Sequence, residues 1–175
     1  YRPFVYTITP FTTSRCFEQI RIGVGYHKSP VIIVGTGSGL SYSELGPTHH
    51  SLEDIGIIKT IPDIDIFAPS DSLELKNYID KALGSSNPTY IRIGKKGEPD
   101  IYDERGKHKP DGINWIKKGG QIAILSYGPI INEAIFAWKE LNHLNINISI
   151  LSVSRIKPFN LNLIQDLKNK GVKHL

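Results

Sequence analysis

The run Pro30-Val31-Ile32-Ile33-Val34-Gly35-Thr36 opens into a loop rich in Gly and Ser up to Ser43, and then into Gly46-Pro47-Thr48-His49-His50-Ser51-Leu52-Glu53-Asp54. Four consecutive β-branched residues between a proline and a glycine read as a buried strand. The apolar spacing of Ile55, Ile57 and Ile58 beyond the loop reads as a helix. Strand, loop and helix in that order are the unit of a parallel sheet. The rhythm extends both ways. Upstream, Phe4 to Ile8 reads as a strand and about Thr13 to Tyr26 as a helix. Downstream come a helix about Leu52 to Ile61, a strand Asp65 to Ala68, a helix about Ser72 to Leu83 and a strand Thr89 to Ile93. Asp71 suits an N-cap for Ser72-Leu73-Glu74, and Gly84 suits a helix stop. The expected fold class is α/β, with a parallel doubly wound sheet.

Residues 94–118 lose this periodicity and gain Gly, Pro and mixed charge, including Lys95, Lys96, Glu98, Asp100, Asp103, Glu104, Arg105, Lys107 and Lys109. They read as a solvated linker. The α/β pattern then resumes in Gln121 to Ser126, a helix about Ile130 to Leu141, Ile146 to Val153, a helix about Leu161 to Lys170, and Val172 to Leu175. The expected organisation is a first domain over residues 1–93, a linker over 94–118 and a second, partial α/β domain over 119–175. Ile20, Val24, Ile55, Ile58, Leu73, Ile79, Ala134 and Trp138 fall at helical spacings and are assigned to the core.

Composition excludes several classes. At 175 residues and 39% hydrophobic content the chain can bury a core. No apolar run approaches the roughly 20 residues of a membrane span, and no basic segment followed by an apolar one opens the chain. A cytoplasmic protein is expected. The net charge of +4 is spread among acids, which argues against a nucleic-acid footprint. The single cysteine, Cys16, excludes an internal disulfide and reads as a packed thiol beside Phe17. No Cys/His metal spacing is present. The chain opens at Tyr1 with no methionine anywhere and stops at Leu175 just past an expected strand, so truncation at both ends is expected.

Ser51 with Asp54 fits a helix cap followed by an acidic residue three places on. His49 would then stand just before the positive end of the helix, where a neutral imidazole can hydrogen-bond a hydroxyl or an oxyanion. The alternative is that His49 and His50 simply decorate a loop. The glycines Gly35, Gly37 and Gly39 do not make a dinucleotide fingerprint, because Leu40 and Tyr42 occupy the positions where its last glycine would fall. They read as a tight, substrate-facing loop. Arg15 opens a helix near Phe11 and either faces a pocket or forms a structural ion pair, while Glu18 and Arg21 can pair with each other. His27, His108, His143 and His174 read as exposed.

Several of these segments, in this order and spacing, resemble the pyrimidine-binding domain of transketolases: Pro30 to Thr36, Gly46-Pro47-Thr48-His49-His50, Leu52-Glu53-Asp54-Ile55, Ile61-Pro62-Asp63 and Ala68-Pro69-Ser70-Asp71. Pro10-Phe11-Thr12-Thr13-Ser14-Arg15 with Glu18-Gln19-Ile20-Arg21 is similar to that family's pyrimidine pocket, and Gly119 to Gly128 through Lys157-Pro158-Phe159 to its C-terminal domain. The resemblance covers nearly the whole chain. It implies the thiamine-diphosphate-binding fold and transfer of a two-carbon ketol unit from a ketose to an aldehyde. The cofactor would be thiamine diphosphate with Mg2+ or Ca2+, the diphosphate and metal held mainly by a domain or subunit outside this chain. Phe11 matches the ring-stacking aromatic, Ile8 a second pocket position, and Ser14 or Arg15 the polar lip. His49 matches the histidine that contacts the donor substrate, with His50 beside it in place of a common glutamine.

Three departures stand out. Gly37, Leu45 and Ala68 occupy positions where the family often carries a histidine, an aspartate and a phosphate-gripping arginine. They imply a less polar outer pocket and a substrate without a phosphate held at position 68. The catalytic glutamate of the family falls before Tyr1, so the chain alone is expected to be inactive. The resemblance also implies a homodimer or heterotetramer acting on a small sugar. Alternative readings are a deoxyxylulose-phosphate synthase, a 2-oxoacid dehydrogenase β-like subunit, or a noncatalytic interaction subunit of the same fold.

Overall fold

The computed structural model describes residues 1–102 and 113–175, so the readings of Asp103, Glu104, Arg105, Lys107, His108 and Lys109 fall outside the described residues. Strands β1 (Phe4–Ile8), β2 (Ile32–Thr36), β3 (Asp65–Phe67) and β4 (Thr89–Arg92) lie parallel in the order β1-β2-β4-β3. β2 is buried throughout its length, as a central strand covered on both faces must be. Alternation along the strands divides the core. Ile33, Ile66 and Tyr90 pack with Ile20, Ile58 and Ile61 on one face, while Ile32, Val34, Phe67 and Ile91 pack with Tyr78 and Ala82 on the other.

The helices depart from the apolar spacing in places. The expected helix over residues 13–26 is instead α1 (Thr9–Thr12), α2 (Phe17–Gln19) and a π-helical stretch over Ile20–Tyr26. Gly23 and Gly25 lie in the π stretch, and the methyl end of Ile61 fills the space a side chain at Gly25 would need. α3 (Asp54–Ile58) is shorter than the expected Leu52–Ile61 helix. α4 (Ser72–Gly84) starts on the Asp71 cap, whose side chain accepts from the Glu74 N–H. It buries Glu74, Tyr78 and Ala82 at four-residue spacing, with Leu73 and Ile79 only half-buried. The fully buried Glu74 carboxylate accepts from the Ser70 N–H, the Tyr102 hydroxyl and the Ser152 hydroxyl. Burial and that carboxylate push the Tyr102 phenol far above its ordinary value.

The second sheet has the order β5-β7-β6, with β6 (Ile122–Ser126) parallel and β5 (Ile113–Lys117) antiparallel to β7 (Ile148–Val153). β5 lies in the stretch read as a linker. α5 (Ile131–His143) covers one face of this sheet through Ile131 and Ala134, and α6 (Asn162–Asn169) the other through Leu163 and Leu167. The strand expected over Val172–Leu175 is reduced to a single bridge between His174 and Ile122, with Val172 buried beneath it. β8 (Arg155–Lys157) returns to the first sheet and pairs antiparallel with β3, so the parallel sheet gains an antiparallel edge from the second half of the chain. Among the described residues no helix is long and apolar enough to cross a membrane.

Candidate functional site

The four parallel strands end on the same side, and the loops that follow them carry the candidate residues at the edge where an open α/β sheet usually takes a ligand. β1 runs directly into α1, with Pro10 in its first turn, where a missing N–H costs nothing. The hydroxyl of Thr9 donates to the Thr36 carbonyl at 2.9 Å, so the start of α1 is tied to the end of β2. The Thr36 hydroxyl and the Gly37 N–H both donate to the Gly94 carbonyl beyond β4, at 2.8 and 3.1 Å. The loop over residues 37–51 is closed at its base by reciprocal backbone bonds between Gly39 and Ser51.

Beneath the loop lies a buried ion pair. Asp54 Oδ2 accepts from Arg92 Nε at 2.8 Å and from the Tyr90 hydroxyl at 2.7 Å, and Arg92 Nη2 donates to the Ser51 carbonyl at 3.2 Å. The side chains are 1% exposed at Asp54 and 12% at Arg92. Burial, with the Asp54 carboxylate adding to it, pushes the Tyr90 phenol well above its usual range. This arrangement replaces the expected cap. α3 begins at Asp54 with Glu53 in the capping position, and the Ser51 hydroxyl is buried without a hydrogen-bond partner. A carboxylate removed from water is better matched by a guanidinium and a phenol than by one backbone N–H. His49 also stands five residues before a five-residue helix, so the helix field assigned to it is absent there.

Phe11, His49 and Tyr42 form a row of rings. Phe11 and His49 meet edge to face with centroids 5.1 Å apart, and His49 and Tyr42 lie 6.3 Å apart. All three are half-buried, as is Ile8 at the end of β1. Thr48 Oγ1 lies 2.9 Å from His49 Nδ1. His50 is occupied differently, its Nε2 3.3 Å from the Ser43 carbonyl within the same loop. The Arg15 guanidinium sits 4.0 Å over the Phe11 ring, and no carboxylate pairs with it among the described residues. Ser14 donates to Glu53 at 2.6 Å, which ties the Phe11 segment to the histidine loop and holds the Glu53 carboxyl below the usual carboxylate range. Glu18 and Arg21 pair with each other at 2.9 Å, as expected. The half-buried Cys16 thiol points to the Phe11 carbonyl at 3.4 Å, and burial raises its pKa.

Of the three departures, Gly37 and Leu45 lie in the loop, Leu45 half-exposed in a short 3-10 turn. Ala68 lies just past the end of β3. It is fully buried, its N–H donating to the Ser154 carbonyl at 2.7 Å and its carbonyl accepting from the Gly128 N–H at 3.0 Å. At 68 the side chain is a buried methyl group that offers a phosphate no charge. A cation stands elsewhere. Lys95 Nζ lies 4.5 Å over the Tyr42 ring and 2.9 Å from Glu44 Oε1. The sequence assigns Lys95 only to the solvated linker and Tyr42 only to the loop as a non-glycine, and it offers no role for Arg92. The available signal was position, since a basic residue just past a parallel strand lies at the ligand edge of the sheet.

An aromatic ring, an imidazole and two exposed cations thus gather past the carboxyl ends of the parallel strands of an α/β domain. Residues 1–98 match the transketolase pyrimidine-binding domain, and the chain belongs to the transketolase family. It is 36% identical over 163 residues to a subunit of the apulose-4-phosphate transketolase of Actinobacillus succinogenes, covering 91% of this chain and 52% of that protein. Human transketolase is 28% identical over 166 residues, covering 94% of this chain and 26% of the human protein. A solved split-gene transketolase, described as an inactive β4 tetramer, superposes with a TM-score of 0.85 at 26% identity, covering 98% of this chain and 56% of that one. The chain spans about half the length of the subunit relatives it matches.

Proposed function

We propose that this chain is the pyrimidine-binding part, residues 1–93, and a portion of the C-terminal domain, residues 119–175, of a thiamine-diphosphate-dependent ketol transferase. The observation that carries the reading is the Phe11–His49 contact at the ends of β1 and β2. The residues fit the cofactor's aminopyrimidine. Phe11 gives a flat heteroaromatic ring an apolar face, Ile8 borders it, and Arg15 covers the same ring with a guanidinium free to move to a polar edge. When bound, thiamine diphosphate supplies the carbon nucleophile that adds to a ketose carbonyl and carries a two-carbon unit to an aldehyde. Its diphosphate, with Mg2+ or Ca2+, is assigned to a diphosphate-binding domain or subunit that completes a homodimer or heterotetramer.

His49 is the substrate-facing residue. In the tautomer where Nδ1 accepts from the Thr48 hydroxyl, the proton is on Nε2, which has no protein partner among the described residues and can donate to an oxygen of the sugar. His50 braces the loop through the Ser43 carbonyl. In the complete enzyme, replacing His49 with Ala should lower turnover about a hundredfold, the effect of losing one transition-state contact of ~3 kcal/mol, with cofactor affinity nearly unchanged. Steady-state kinetics beside a cofactor titration checks this. Undiminished turnover, or a loss confined to cofactor binding, makes His49 structural. The 175-residue chain alone should show no ketol transfer.

A further inference from the structure

Gly37 has a φ of +75°, and the Tyr42 ring fills the space where a side chain at 37 would begin. The wall of the site that position 37 cannot supply is therefore supplied by Tyr42. Its ring is bordered on several sides: the Gly37 backbone at one edge, His49 at 6.3 Å, and the Lys95 ammonium 4.5 Å over the face. Glu44, two residues further along the same loop, pairs with Lys95 at 2.9 Å. The ring is half-buried, yet its hydroxyl has no hydrogen-bond partner among the described residues. A ring with an unengaged hydroxyl beside a histidine is suited to reading a polar ligand.

We infer that Tyr42 is a specificity-determining residue of this chain, hydrogen-bonding a hydroxyl of the ketose beyond the transferred two-carbon unit. The inference rests on the ketol-transfer reading. The order of the rings gives the direction: Phe11 for the cofactor ring, His49 next to it for the carbonyl region, and Tyr42 one ring further out. A sugar whose carbonyl lies at His49 extends its remaining hydroxyl-bearing carbons toward Tyr42 and Lys95.

The test uses the complete enzyme, assembled with its diphosphate-binding part and loaded with thiamine diphosphate and Mg2+. Two donors are compared. Xylulose 5-phosphate carries hydroxyls beyond the ketol unit, and hydroxypyruvate carries none. Tyr42→Phe should raise the KM for xylulose 5-phosphate roughly fivefold, the order of one hydrogen bond to a neutral partner, and leave the KM for hydroxypyruvate unchanged. Calorimetric binding of xylitol 5-phosphate, which has no carbonyl and cannot react, should weaken by the same factor. Equal effects on both donors, or none on either, overturn the role of Tyr42 while the ketol-transfer reading stands. An unmodified enzyme that uses neither donor overturns that reading and the inference together.

Discussion

On its loop side the site rests on a buried ion pair, whereas on its Phe11 side it rests on buried neutral hydrogen bonds from Thr9 and Thr13, with an exposed serine and a stacked guanidinium at the rim. Asp54 is bonded to Arg92 and Tyr90 and is almost wholly removed from water. Ser14 and Arg15, by contrast, are exposed, and their partners are the surface carboxylate of Glu53 and the face of Phe11. The difference has a physical consequence. A buried, hydrogen-bonded charge fixes geometry strongly because leaving it unpaired is costly, while exposed contacts are screened and exchange readily with water. The base of the histidine loop is therefore held by a buried charge pair and that of the Phe11 segment by neutral bonds, and only the Ser14 and Arg15 rim is exposed to screening by water.

The largest effect should come from breaking the ion pair. Arg92→Leu leaves the Asp54 carboxylate buried with only the Tyr90 hydroxyl, and should destabilise the chain by about 3–5 kcal/mol in denaturant unfolding. Adding Asp54→Asn should recover part of that loss, because the uncompensated charge is gone. A small effect of Arg92→Leu would show that the loop side is no more firmly held than the Phe11 side. The smallest effect should come from Glu53. Its carboxyl is held low by the Ser14 hydroxyl, so the contact stabilises fully above the ordinary carboxylate range and is lost as pH falls through the lowered value. In thermal unfolding, Glu53→Gln should cost a little at neutral pH. That difference from the unmodified chain should shrink below about pH 4. A difference that instead grows on acidification would contradict the tie.

The strands were legible because their residues carry the signal locally. Val31 to Val34 are β-branched between Pro30 and Gly35, and no other element competes for them. β5 and β8 were not legible. Ile113-Asn114-Trp115-Ile116-Lys117 and Arg155-Ile156-Lys157 are short and interrupted by polar residues, and become strands only by pairing with β7 and with β3, the latter about 90 residues away in sequence. At the site, His49 and Phe11 stood out by type and spacing. Asp54 and Arg92 are 38 residues apart, and meet where the start of α3 reaches the end of β4. Tyr42 was hidden for a similar reason, since its significance lies in the absence of a side chain five residues earlier.

The central claim is that Phe11 supports the cofactor ring while His49 serves the substrate. Calorimetric titration of thiamine diphosphate with Mg2+ into the complete assembled enzyme tests it most directly, comparing the unmodified protein with Phe11→Ala. Loss of the aromatic platform should weaken cofactor binding roughly tenfold, with the unfolding transition unchanged. Binding by Phe11→Ala as tight as that of the unmodified enzyme would contradict the assignment.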